Sequence, residues 1–143
     1  MNYLLDTNVL SELRPDKPRA SAAVLSWAST VPMGAQYTSP LCLMEIEISI
    51  LRLERRRPPQ GAALRAWLGR VRALFLPRLL MVDDAVCQRC APLHVPDKMP
   101  AHGALIAATA LVHGLTLVTR NTADFERTGV ALLNPWEEAD QSN

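Results

Sequence analysis

The chain has 143 residues, is 49% apolar and carries a formal charge of only +1. That size and composition suit one compact domain with a sizeable core and exclude two independent ones. No apolar run approaches the roughly 20 residues needed to span a bilayer, and the N-terminus lacks the basic segment and apolar core of a signal peptide, so a cytoplasmic protein is expected.

The chain opens on Met1-Asn2-Tyr3-Leu4-Leu5, a short apolar run that suits a central strand and stops at Asp6. In open parallel α/β sheets, ligands gather just beyond the carboxyl ends of strands, which is where Asp6 falls. Thr7 to Leu13 then reads as a short helix capped by Thr7 or Asn8 and stopped at Arg14-Pro15. A second helix spans Ala20 to Ser29, a second strand Gln36 to Ser39, and Ser39-Pro40 launches a long helix from Leu41 to about Arg56. Pro58-Pro59 breaks the chain before a helix from Gly61 to Phe75, whose Leu64, Trp67, Leu68 and Val71 recur at helical spacing.

Leu79 to Val82 reads as a third strand, with Asp83 or Asp84 capping a helix through about Leu93, and His94 to Ala101 reads as a proline-bounded loop. Ala104 to Val112 is apolar nearly all round and predicts a buried helix, closed by His113-Gly114. Leu115 to Thr119 is the clearest strand, Val130 to Leu133 the last, and the tail from Glu137 is polar and expected to fray. Strands alternating with helices predict a parallel α/β sheet covered on both faces. The reading is a single domain over 1–136 with a polar tail over 137–143.

Near-neutrality hides an asymmetry. Eight arginines and one acid, Glu54, lie between Arg52 and Arg78, a local charge of +7 that leaves about −6 for the rest. The run suits a solvated helical hairpin or a phosphate-contacting flank, because guanidinium forks match phosphate oxygens. Cys42, Cys87 and Cys90 cannot pair off without a remainder and suit a reducing compartment. Cys87 and Cys90 are three apart and read as small buried thiols rather than a zinc or redox pair.

The acids that could meet Asp6 are few. Glu45 sits one turn into an apolar helix, where an unpaired charge costs several kcal/mol, roughly the scale for buried ions. Glu47 competes with it but lies about 200° away on an ideal helix, so only one faces a given site, and spacing favours Glu45. Thr119-Arg120-Asn121 follows the clearest strand and would stand beside Asp6 if the two strands are neighbours. Clustered carboxylates suit a hard divalent cation, which points to metal-dependent phosphodiester hydrolysis.

With those residues in place, the chain resembles the PIN-domain ribonucleases, in particular the VapC/FitB-type toxins of bacterial toxin–antitoxin modules. The resemblance rests on LLDTNVLSELRP (Leu4 to Pro15), TSPLCLMEIEISILRLERR (Thr38 to Arg56), ALIAATALVHGLTLVTRNTADF (Ala104 to Phe125) and the NPW ending at Trp136. It implies a parallel five-stranded sheet between helices and Mg²⁺- or Mn²⁺-dependent cleavage of RNA, blocked by a cognate antitoxin. Position by position it makes Asp6, Glu45 and Asn121 catalytic and metal-site residues, with Asn8, Thr119 and Arg120 among the polar residues that meet substrate.

The position of the family's third acid holds Gly103. The resemblance therefore implies a site short of one ligand and an impaired enzyme. His102, Asp97 and Asp124 are the residues near enough in sequence to compensate, with His102 expected to be solvent-exposed ahead of the helix. The alternative is a catalytically dead subunit that binds its antitoxin and acts in a DNA-bound repressor complex. The resemblance further implies a homodimer, DNA contact only through the antitoxin, and no membrane association. Apolar side chains on the long helix and the arginine-rich hairpin offer a groove for an amphipathic antitoxin segment, whose arginine could reach Asp6 and Glu45.

Overall fold

A computed structural model of the chain describes residues 1–137. The expected fraying of the polar tail falls almost wholly on residues outside that range. Among the described residues no helix is long and apolar enough to cross a membrane.

Four short parallel strands form one sheet: β1 (Tyr3–Leu5), β2 (Gln36–Tyr37), β3 (Thr116–Val118) and β4 (Leu132–Leu133), in the order β2-β1-β3-β4. β1 is central because Leu4 and Leu5 point to opposite faces and both are fully buried, which requires cover on each side of the sheet. Its register pairs Leu4 with Tyr37 on one flank and with Leu117 on the other. The Asp6 N–H extends the ladder by donating to the Val118 carbonyl, so the ends of β1 and β3 lie side by side.

The stretch Leu79 to Val82 contributes only a single parallel bridge, Leu79 to Thr38, at the β2 edge. Four strands and that bridge stand where five strands are expected. Past Thr38 the chain turns into a helix that starts at Pro40, so no extended partner remains for Leu80 to Val82. On the other side of the bridge Arg78 Nε donates to the Gln36 carbonyl and its Nη2 to the Leu74 carbonyl.

Among the described residues six α-helices pack around the sheet: α1 (Thr7–Glu12), α2 (Ala22–Thr30), α3 (Pro40–Arg56), α4 (Pro58–Phe75), α5 (Asp84–Cys90) and α6 (Ala101–His113). Ser39 caps α3 as expected, accepting from the Leu41 N–H, with Pro40 in the first turn. Pro58 and Pro59 do not precede α4 but form its first turn, where their missing N–H groups cost nothing. α3 and α4 form a hairpin pinned by Arg65, whose Nε and Nη2 hold Glu54 while Nη1 reaches Glu47. Gly61 permits the close approach, since a Cβ there would lie 2.5 Å from Glu54 Cγ and 2.9 Å from Glu54 Cα.

α6 starts at Ala101, three residues before the expected boundary, and ends at Gly114, whose φ of +65° suits glycine. Its buried alanines at 104, 107, 108 and 110 let it pack closely. One core joins the strands to α1, α2, α3, α4 and α6, and a smaller one, with Val86, Cys90, Met99, Ala104 and Ala108, lies between α5 and α6. Cys42 and Cys90 are buried, but Cys87 is exposed, a correction to its expected burial. The i, i+3 spacing gave both thiols one face, and the short α5 leaves the Cys87 end of that face uncovered.

Candidate functional site

Asp6 ends β1 and is itself the cap of α1, its Oδ1 accepting the Thr7 N–H at 2.8 Å. The cap was expected at Thr7 or Asn8. The carboxylate takes that role because the strand delivers it, extended, to the first free N–H of the helix. Asp6 is only 8% exposed.

The neighbouring strand end supplies its second partner. Thr119 Oγ1 donates to Asp6 Oδ2 at 2.9 Å, while accepting from Asn8 Nδ2 at 3.3 Å and from the Asn121 N–H at 3.1 Å. The Arg120 N–H donates to Asn8 Oδ1. Thr119 is thus a junction that fixes Asp6, Asn8 and Asn121 relative to one another. Burial pushes the Asp6 carboxyl above its usual range, against the hydrogen bonds from Thr119 and Thr7, and the nearby Glu45 carboxylate acts in the same direction as burial. Behind Asp6 lies Cys42, fully buried, with its thiol pushed up to about 12, first by burial and then by the Asp6 charge.

These elements enclose a cavity of about 320 Å³ lined by Asp6, Thr7, Asn8, Glu45, His102, Asn121, Asp124 and Phe125. Four of the expected site residues, Asp6, Asn8, Glu45 and Asn121, therefore meet in one place. Thr119 stands behind Asp6. Arg120 does not line the cavity: its guanidinium lies over the Trp136 ring at 5.1 Å from the centroid. Glu47 turns away to Arg65, as its angular position on α3 requires.

Sequence reasoning missed one contributor, Phe125, and misplaced His102. Phe125 reaches the wall, together with the candidate compensator Asp124, because Thr122–Thr128 forms a 3₁₀ turn shortly after β3. His102, expected in solvent, is half-buried within the first turn of α6, and its Nε2 lies 3.1 Å from Glu45 Oε1. Earlier onset of α6 caused the error, and no local signal separated Ala101-His102-Gly103 from the preceding loop. Asp97 does not join the site; its carbonyl accepts from Arg127.

Gly103 contributes no side chain. A Cβ built there would meet Phe125 Cε1 at 3.5 Å and Cζ at 3.8 Å, ordinary contact distances against a residue of the cavity wall. A Cβ is therefore accommodated at this position at ordinary contact distance. As the chain stands, no three His, Cys, Asp or Glu side chains among the described residues are placed to hold a metal ion. Both Asp6 oxygens are engaged by Thr7 and Thr119, and Glu45 faces an imidazole. The residues present do not fit a divalent centre.

A larger hollow of about 600 Å³ lies elsewhere, bordered by Arg14, Leu53, Arg57, Leu64, Trp67 and Arg70. It carries no convergence of acids and resembles a docking cleft more than a reaction site.

The sequence model of the PIN domain family matches residues 3–131. The chain is 33% identical over 143 residues to VapC ribonuclease Y4jK of Sinorhizobium fredii, covering 95% of this chain and 99% of that protein. It is 31% identical over 141 residues to Toxin FitB of Neisseria gonorrhoeae, covering 94% and 99%. Among solved structures it is similar to that of FitAB bound to a DNA fragment, with a TM-score of 0.84 at 29% identity over 94% of this chain and 95% of that one.

Proposed function

The chain belongs to the PIN-domain family, and from that premise we propose that it is the ribonuclease toxin of a toxin–antitoxin module, with a cleavage centre short of one carboxylate. The observation that carries the reading is the meeting of Asp6, Glu45 and Asn121 in one cavity beside a glycine. The relatives named as ribonuclease and toxin support the reaction class, hydrolysis of RNA, and the likeness to a toxin-antitoxin complex from Klebsiella pneumoniae, with a TM-score of 0.66 at 25% identity, supports an antitoxin as partner.

In this reading Asp6 and Glu45 would serve a Mg²⁺ or Mn²⁺ ion only once an acid stands at position 103, with Asn121 as a neutral neighbour, and the chain as it stands lacks that ligand. Two carboxylates already engaged by protein groups hold such an ion weakly, because hard cations are retained by the number of oxygen ligands supplied. Asn8 and Thr119 orient the acids, and Arg120, exposed beside the cavity, is available to an RNA phosphate.

The antitoxin fits the 600 Å³ cleft between Arg14 and the α3–α4 hairpin, where an apolar floor of Leu53, Leu64 and Trp67 suits one face of an amphipathic helix. A second copy of the chain is expected to pair with the first, and exposed Met44, Ile48 and Leu51 on one side of α3 suit such a contact. DNA is reached only through the antitoxin.

The vacant position at Gly103 also favours a second reading, an antitoxin-binding subunit of a repressor complex that no longer cuts RNA. Incubation of total RNA with the present chain and with Gly103→Asp, in Mg²⁺ or Mn²⁺ and in chelator, separates the two. Cleavage by Gly103→Asp that disappears in chelator and on Asp6→Ala is expected. A Gly103→Asp protein that cuts no RNA overturns the enzyme reading and leaves the binding one.

A further inference from the structure

On α3, the acid of the cavity and two arginines share one stripe. Arg52 and Arg56 lie seven and eleven residues beyond Glu45, which places both within about 20° of it around the helix axis, about 10 and 16 Å along it. Ser49, between Glu45 and Arg52, lies on the same side and is exposed. Thr7 of the cavity wall also borders a smaller hollow with Ser11, Arg14 and Ser49.

The arginines on this stripe carry uncompensated charge. Arg52 and Arg56 are exposed, and neither belongs to an ion pair among the described residues. The other acids of α3 cannot neutralise them, because Arg65 takes both Glu47 and Glu54 on the far side of the helix. The arrangement is therefore asymmetric: an acid at the cavity end of this side of α3, exposed guanidinium groups two and three turns further along it.

We propose that the Glu45–Arg52–Arg56 stripe of α3 is the track on which single-stranded RNA lies, with Arg52 and Arg56 holding backbone phosphates that flank the bond at the cavity. The inference rests on the ribonuclease reading above and adds to it where the strand runs. Phosphates are the ligand that fits, because guanidinium forks bind them in pairs of hydrogen bonds and single strands follow cationic grooves with little regard to sequence. Repulsion by Glu45 and Asp6 keeps phosphates off the acid end, so the strand is held by its flank.

The present chain allows binding to be measured directly, in chelator. Fluorescence anisotropy of a labelled single-stranded RNA oligonucleotide between 50 and 200 mM salt gives the slope of log affinity against log salt. Each phosphate contact contributes about 0.7 to that slope for single strands. The double variant Arg52→Ala/Arg56→Ala is expected to bind several-fold more weakly at low salt, with a slope flatter by about 1.4. Arg52→Lys/Arg56→Lys restores the slope, and Arg72→Ala/Arg89→Ala, which removes equal charge from exposed positions of α4 and α5, leaves it unchanged. An unchanged slope in the first variant, an equal loss in the Arg72→Ala/Arg89→Ala variant, or the same behaviour towards a DNA duplex of equal length overturns the proposal. No RNA binding by the unaltered chain at any salt overturns the ribonuclease reading itself.

Discussion

His102 Nε2 lies 3.1 Å from Glu45 Oε1, so the first turn of α6 delivers an imidazole to the carboxylate that faces the cavity. The contact lacks hydrogen-bonding geometry, and Nε2 is otherwise buried without a partner. A cation at Glu45 would have to share that carboxylate with the ring. In the Gly103→Asp background, His102→Ala is expected to bind Mn²⁺ several-fold more tightly by calorimetry. Weaker binding would show that the imidazole assists the ion instead of crowding it.

Asp6 carries a linked effect on stability. Its folded-state carboxyl titrates above the ordinary 3.8 because it is buried. The folded chain therefore holds that proton to higher pH than the unfolded chain does. This contribution is fully present below 3.8 and is lost as pH rises through the folded-state value. Asp6→Asn removes the charged form, and thermal melting in chelator at pH 7 should rise by about 2 to 4 °C, on the order of 1 kcal/mol for a chain of this size. The difference between the two proteins should shrink at low pH, where Asp6 is protonated in both states.

Thr119 is fully buried and makes hydrogen bonds to Asp6, Asn8 and Asn121. Thr119→Val keeps the shape and strips all three. Leaving the buried Asp6 oxygen unsatisfied costs roughly 1 to 3 kcal/mol, readable by denaturant unfolding. Thr119→Ser retains the hydroxyl and should recover most of the loss. Equal stability of the valine and serine variants would mean that packing of the methyl group, and not the junction, is what matters.

Gly61 sets the spacing of the α3–α4 hairpin. A Cβ there overlaps both the side chain and the backbone of Glu54, so Gly61→Ala must push the helices apart or turn Glu54 off Arg65. The expected cost is about 1 to 3 kcal/mol, the usual scale of overpacking, and it should outweigh the helix propensity that alanine adds. A variant as stable as the parent would show that the hairpin is loose at this point.

Arg65 and Glu54 connect the same hairpin to pH. The Arg65 hydrogen bonds hold the Glu54 carboxyl below its ordinary 4.5, so the pair stabilises the fold above that value and the contribution is lost as pH falls through the folded-state one. Arg65→Ala should flatten the acid limb of the stability curve below pH 4.5. The two carboxylates it leaves behind, Glu47 and Glu54, would then face α4 without a cation.

The acids of the site were legible in the sequence because each interrupts a pattern. Asp6 ends an apolar run that can only be a strand, and Glu45 breaks an apolar helix at an angle that Glu47 cannot share. The arginine-rich hairpin was equally plain as composition. Which arginine does what was not: Arg65 is spent on two carboxylates and Arg78 on two carbonyls, while Arg52 and Arg56 remain exposed. Sequence fixes the count of charges, but their pairing depends on which helix faces which.

By itself, the sequence determined the element order apart from the strand expected at Leu79 to Val82, the parallel α/β class, the family and the glycine at the third-acid position, because these follow from local periodicity and from motifs read in line. The tertiary structure alone decided that Asp6 caps α1, that Thr119 ties three polar residues together and that His102 meets Glu45. Those contacts join residues up to 113 positions apart. They arise where the ends of β1 and β3 and the first turn of α6 are brought within hydrogen-bonding reach, a proximity created by burying the apolar faces of the sheet and helices and invisible to any local window.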